Sequence, residues 1–220
     1  MAVAYVDSNF GTVDSSGVIT TSGSDTLVIA GVMADQVADP ALGNVTHNAD
    51  LLTFQQSTGG SVGDWIEVWS RIAPDAGSFS VDVAGGVGGA VVMAASFSGV
   101  HQTTPHVVRS ALESAGDTQR SDTVPDMTAD DIAFAFIAIN GQSTGMTVDG
   151  TLQETNTGAG WAQMLITKTG TGSVTIGASG FTSARCSIVA GRIAAAGGGG
   201  GGGASIAVVL QNYRNMGLMQ

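Results

Sequence analysis

A single cysteine, Cys186, occurs among 220 residues, so no internal disulfide can form and the fold must rest on burial and backbone hydrogen bonding. Basic residues are also scarce: seven against 18 acidic ones, a net charge of −11. A surface of that sign repels a phosphate backbone and anionic lipid, which argues against nucleic-acid or membrane partners. Only three of the acidic residues are Glu, the rest being Asp, a residue that favours turns and caps over helix interiors. Long helices are therefore not expected. The longest apolar runs, Leu27–Ala34 and 132–139, are eight residues each, short of the roughly 20 that a spanning helix needs. Met1-Ala2-Val3-Ala4-Tyr5 lacks the basic and apolar regions of a secretory signal, so synthesis in the cytoplasm is expected.

Glycine (33 residues) and Ser plus Thr (43 residues) are abundant instead, a composition of strands and turns, and the length suits one main domain. Period-two alternation marks Trp65–Ile72 as a strand, with Ile66, Val68, Ser70 and Ile72 toward the core. Trp65, Glu67, Trp69 and Arg71 share the other face, expected outward or at an edge. The unbroken apolar runs 27–33, 91–97, 132–139 and 188–193 read as central strands, punctuated by their flanking Gly, Asp and Pro. The expected fold class is all-β: a two-layer antiparallel β-sandwich, jelly-roll-like and internally duplicated.

The duplication is read from order. An apolar strand, a Val-Thr strand, a Trp-led strand, a Gly-Ser-led strand and an apolar closing strand occur in 25–100 and again in 131–194. Each copy alone would expose a hydrophobic face, so the two are expected to pack on each other within a body of residues 1–194. Residues 101–130, with Pro105 and Pro125, are assigned to a crossover containing a short helical turn near 107–114.

Residues 195–203 form a linker with seven consecutive glycines, and 204–220 an amphipathic arm. Ile206, Val209, Leu210, Tyr213 and Met216 recur there at helical spacing, with Gly217 as C-terminal cap, although 206–210 would also suit a strand. Such a helix is marginal alone, and its tether reaches roughly 15 Å r.m.s.. Its partner is thus this body or a neighbouring subunit. The body has a net charge of −12, while the arm carries only Arg214, so the two meet different environments.

Chemical motifs are sparse. Gly177-Ala178-Ser179-Gly180 lacks the spacing of a nucleophile elbow, and the clusters at Gly59-Gly60 and Gly85-Gly86-Val87-Gly88-Gly89 lack the Lys-Ser/Thr of a phosphate loop. His47, His101 and His106 have no zinc-ligand spacing; an exposed loop histidine is the default for the latter two. Cys186 reads as a small buried hydrophobe. Asp117, Asp122, Asp126, Asp130 and Asp131 are the densest acidic group, without the spacing of a calcium loop. Asp64, Glu67 and Glu154 could pair for glycoside cleavage only in the sense that any acidic β-protein offers such pairs. No cofactor or metal is therefore assigned, and no enzymatic activity. Trp65 and Trp69 are candidate glycan-stacking residues.

Thr26-Leu27-Val28-Ile29-Ala30-Gly31-Val32, Asn44-Val45-Thr46, Glu67-Val68-Trp69, Ala73-Pro74-Asp75-Ala76-Gly77-Ser78-Phe79-Ser80-Val81 and above all Ser96-Phe97-Ser98-Gly99-Val100-His101-Gln102-Thr103-Thr104-Pro105 together resemble a β-sandwich module of phage virion and bacterial surface proteins. His47-Asn48-Ala49-Asp50 departs from the module's usual Tyr-Gly-Gly turn. The resemblance implies a jelly-roll-like fold and no catalytic residues. The expectation that follows is a non-enzymatic virion protein, a tailed-phage decoration, fibre or adhesion module. Partners would be copies of itself or other virion proteins, held through Ile206, Val209, Leu210, Tyr213 and Met216. The alternative is an adhesin binding cell-surface glycans through Trp65 and Trp69.

Overall fold

A computed structural model of the chain describes residues 1–12, 15–34, 42–58, 64–85, 90–141, 145–158 and 161–197, without the side chains of 109–115 and 182–184. The described residues are all-β, in antiparallel sheets with no helix. The first half runs β1 (Ala4–Thr12), β2 (Ile19–Thr21), β3 (Leu27–Ala34), β4 (Val45–His47), β5 (Asp50–Leu51) and β6 (Thr53–Ser57). It continues with β7 (Trp65–Ile72), β8 (Gly77–Phe79), β9 (Val81–Val83) and β10 (Val91–Ser98). The second half has fewer, longer strands: β11 (His106–Met127), β12 (Ile132–Asn140), β13 (Thr147–Asp149), β14 (Thr151–Gly158), β15 (Trp161–Lys168) and β16 (Gly172–Ile193).

One strand order recurs in the two halves. The first large sheet is ordered β1-β10-β3-β7-β6 and the second β11-β16-β12-β15-β14. Leading, closing, opening, Trp-led and edge strands occupy matching places. The remaining strands match too. In the first half β2 pairs with β8 and β4 with β9. In the second, the far ends of β11 and β16 pair with each other and β13 joins β16. Where the first half interrupts its strands, the second bends through register shifts between Ala115 and Gln119. Gly116 (φ 82°) and Gly180 (φ 84°) lie at this bend, in a conformation that costs other residues strain.

This order revises two expectations. Each repeat begins at its leading strand, β1 or β11, rather than at residue 25 or 131. Segment 101–130 is correspondingly no helical crossover, since most of it is β11. Closing strand β16 would otherwise carry a row of unpaired backbone groups, and β11 satisfies them along its length. The polar composition that suggested a loop is that of a sheet-edge strand.

Alternation along the strands builds three cores. From the first large sheet, Leu27, Ile29, Met33, Ile66, Val68, Met93 and Phe97 meet Phe134, Phe136, Leu165, Val189 and Ile193 of the second. The opposite face of the first sheet, with Val28, Ala30, Val32, Trp65, Val92 and Ala94, is covered by Ile19, Val45, Val81 and Val83. Likewise Ala135, Ile137, Ile139, Ile166 and Ile188 are covered by Val124, Val174, Ile176 and Ala178. The opening strands β3 and β12 are thus buried on both faces, as their unbroken apolar runs predict. Across the central layer β1 lies against β14, and β11 against β6. These two contacts interchange when the halves are interchanged, which is the pattern of an isologous dimer made within one chain.

Candidate functional site

The arm residues Ile206, Val209, Leu210, Tyr213 and Met216 lie outside the described residues. The place from which the arm departs is described. Beyond β16 the chain runs extended through Ala194, Ala195 and Ala196, and Val100 forms a bridge with Ala195. His101 N donates to Ala194 O (2.8 Å), Ala194 N to Pro105 O (2.8 Å) and Ala196 N to Gly99 O (2.7 Å). On the other side the Ala195 amide donates to Asp131 Oδ1 (2.9 Å), and the terminal amine of Met1 to Ala196 O (2.9 Å). Val3 N donates to Asp130 O (2.8 Å).

The N-terminus, the corner after β10, the turn before β12 and the root of the arm therefore converge at one pole. Asp131 is central to it. Its Oδ2 accepts from Thr128 N at 2.8 Å and faces Arg192 at 4.0 Å, while the carboxylate is almost wholly buried. A carboxylate accepting two amides is a strong, directional tie. Gly197, the first of the seven glycines, follows with φ 79°. Hydrogen bonds to the body thus extend to Ala196, two residues beyond the expected boundary at 194.

The tryptophans stand otherwise than expected. Trp65 is only 7% exposed and Trp69 half-buried. Their face of β7 is covered by the outer layer, because the sandwich has a further core on that side. Both indoles are held by one carboxylate. Trp65 Nε1 donates to Glu67 Oε1 (3.2 Å) and Trp69 Nε1 to Glu67 Oε2 (2.9 Å), with Glu67 itself 5% exposed. Trp69 also meets Phe54 edge to face, 5.3 Å between centroids. The signal for this clamp was in the sequence: a Glu between two Trp at i±2 shares one strand face with both. Arg71, on the same face, pairs with Asp50 at 2.6 Å.

The histidines divide. His101 Nδ1 accepts from the amides of Thr103 (3.3 Å) and Thr104 (3.1 Å), so its ring closes the turn. His106, expected exposed, is partly buried between the halves, where its Nε2 lies 3.2 Å from Ser70 Oγ. Burial pushes its imidazole down to about 4. A serine beside a histidine suggests a nucleophile and base. Ser70, however, is 3% exposed on the central core face. His47 is buried against Phe79 (5.5 Å, edge to face), and burial, then Arg71, lowers its pKa.

Cys186 lies in the second outer core, where burial raises its thiol to about 12, so it is an inert packing group. Asp122 caps Thr123 N (2.7 Å), and Asp117 faces Arg120 at 3.6 Å. Five residues along an extended strand span roughly 16 Å, so β11 spaces its acidic side chains apart. Among the described residues no three His, Cys, Asp or Glu side chains form a group able to hold a metal ion. Asp64 faces Arg185 at 3.7 Å, and Glu154 Oε1 accepts from Thr155 N. No helix among the described residues is long and apolar enough to cross a membrane. Comparison with family models, curated proteins and solved structures finds no match to the chain.

Proposed function

We propose that the protein is a non-enzymatic structural subunit of a virion, a decoration, fibre or adhesion module of a tailed phage, anchored to a neighbouring copy through its C-terminal arm. The observation that carries this reading is the pole at Ala194–Ala196. The chain is tied on both sides up to Ala196 and then passes into a heptaglycine tether. A tether needs a fixed root if tension on the arm is to reach the body rather than peel its last strand. The apolar pattern of Ile206, Val209, Leu210, Tyr213 and Met216 supplies the other end. Burying five such side chains contributes about 5–10 kcal/mol before the ordering entropy is subtracted.

The body suits the load. Its two halves share one core, and the polar groups nearest to a chemical constellation serve structure: Glu67 holds two indoles, and Asp131 holds two backbone amides. The acidic surface keeps bodies apart in solution while the nearly uncharged arm joins them. The resemblance of 96–105 to phage and surface modules supports the same setting. Deleting 198–220 tests the reading in particle assembly: the truncated subunit is expected to fold with unchanged stability and to be absent from assembled particles. Its full incorporation would refute the anchor.

A further inference from the structure

The corner that holds the arm's root is closed by a histidine with no counter-charge. His106 opens β11 in the second half, and its Nε2 meets Ser70 Oγ of β7 in the first half, so the contact joins the two large sheets. Its Nδ1 is enclosed without a hydrogen-bond partner. One residue earlier, Pro105 O accepts from Ala194 N, and His106 is itself the register partner of Ile193. The ring thus sits beneath the strand end from which the arm departs.

A ring so placed favours its neutral form. Neutral imidazole shares one nitrogen with the serine hydroxyl, whereas imidazolium has two donors, one of them facing no acceptor, and a buried charge. The charged groups on the packed elements turn elsewhere. Arg71, next to Ser70 on β7, points to the opposite face and pairs with Asp50. Arg192, next to Ile193 on β16, reaches Asp126 O and Asp131. Asp131 is engaged by Thr128 and Ala195, and His101 by its own turn.

We propose that His106 is an acid-operated catch on the root of the arm: protonating its ring places a donor at the unpartnered Nδ1 and a charge with no counter-ion beneath the strand end, which opens the 99–106 corner and releases Ala194–Ala196 while the two large sheets stay packed. The catch belongs to the body and stands whether or not the arm binds a neighbour. An open corner returns the ring to its ordinary value of about 6.5, against about 4 when closed. Opening therefore becomes more favourable as pH falls from about 6.5 to about 4 and levels off below. A separation of that size corresponds to a roughly 300-fold rise in the opening constant.

The test is hydrogen exchange of the full chain at about pH 7 and about pH 4, corrected for intrinsic rates. The amides of His101, Ala194 and Ala196 are expected to lose protection together in acid while those of 133–139 keep theirs. In His106→Gln the corner should stay protected at both values, and His47→Leu should leave the acid response intact. Equal protection of the corner at both values, the same loss in His106→Gln, or loss from corner and core together would overturn the proposal. Should His106→Gln fail to fold, the ring resonances of the unaltered chain decide. Titration near pH 4 in step with the Ala194 amide supports the catch, and titration near the ordinary value, or without Ala194, refutes it.

Discussion

Gly31 of β3 and Phe136 of β12 face each other across the central layer: a β-carbon added at Gly31 would fall inside the van der Waals envelope of the Phe136 ring. The absent side chain on one sheet is the space that the ring of the other fills. A similar fit occurs at Gly191, whose added β-carbon would lie 2.7 Å from Phe134 Cε1. The halves are thus matched by shape as well as by hydrophobicity.

Gly31→Ala should accordingly destabilise the body by about 1–3 kcal/mol, the usual cost of overpacking a filled core. Phe136→Leu in the same chain should recover part of the loss, because the two sites are directly coupled. Urea unfolding of the two single variants and the double variant measures the coupling; strictly additive losses would mean that the two residues do not share this space.

Removing the acceptor between the indoles should separate two effects. Glu67→Gln keeps one acceptor oxygen but turns an NH2 toward the second indole, and a loss of about 1–3 kcal/mol is expected. Glu67→Ala leaves both indole N–H groups without their acceptor and should cost more. Denaturation followed by tryptophan fluorescence reads stability and indole environment together. A neutral Glu67→Ala would show that the clamp contributes nothing.

The turn His47-Asn48-Ala49-Asp50 offers a gain. His47 pairs with Asp50 around it, and both central residues have positive φ, 50° at Asn48 and 64° at Ala49. This is the geometry in which Asn-Gly is favoured. Ala49→Gly should therefore stabilise the protein by about 0.5–1 kcal/mol, relief of strain outweighing the added unfolded-state freedom. A lowered melting temperature would contradict the turn assignment.

How much of this was legible in the sequence depended on how completely each strand is buried. The run 27–34 announces a strand covered on both faces, and that is where β3 lies. The order of elements likewise shows the repeat. The run 106–127 conceals a strand, because an edge position tolerates polar residues and the bulges near Ala115 and Asp117 break its alternation. In Trp65–Ile72 alternation places Ile66, Val68 and Ser70 inward but misses Ile72, which is exposed at the strand end, and it carries no information that a further layer covers the tryptophan side. The pole at Ala194–Ala196 is made by backbone hydrogen bonds, which leave no side-chain pattern to read, apart from Asp131.

Acid should weaken the body through His47. Its folded pKa lies below the ordinary value for two physical reasons, burial first and Arg71 second. The unfolded state therefore takes up the proton more readily, and stability present above about pH 6.5 is lost as pH falls below it. Both ring nitrogens are buried without hydrogen-bond partners, so His47→Leu should be neutral or stabilising by up to about 1 kcal/mol at neutral pH. The same change should flatten the decline in stability below about pH 6.5. An unchanged slope in the variant would show that His47 does not drive it.

In the proposed reading the arm joins subunits through a root tied at Ala196. The solution mass, by light scattering, of the full chain beside a chain ending at Gly197 tests this. A defined oligomer is expected for the full chain and a folded monomer for the shortened one. Two folded monomers of the same behaviour would contradict it.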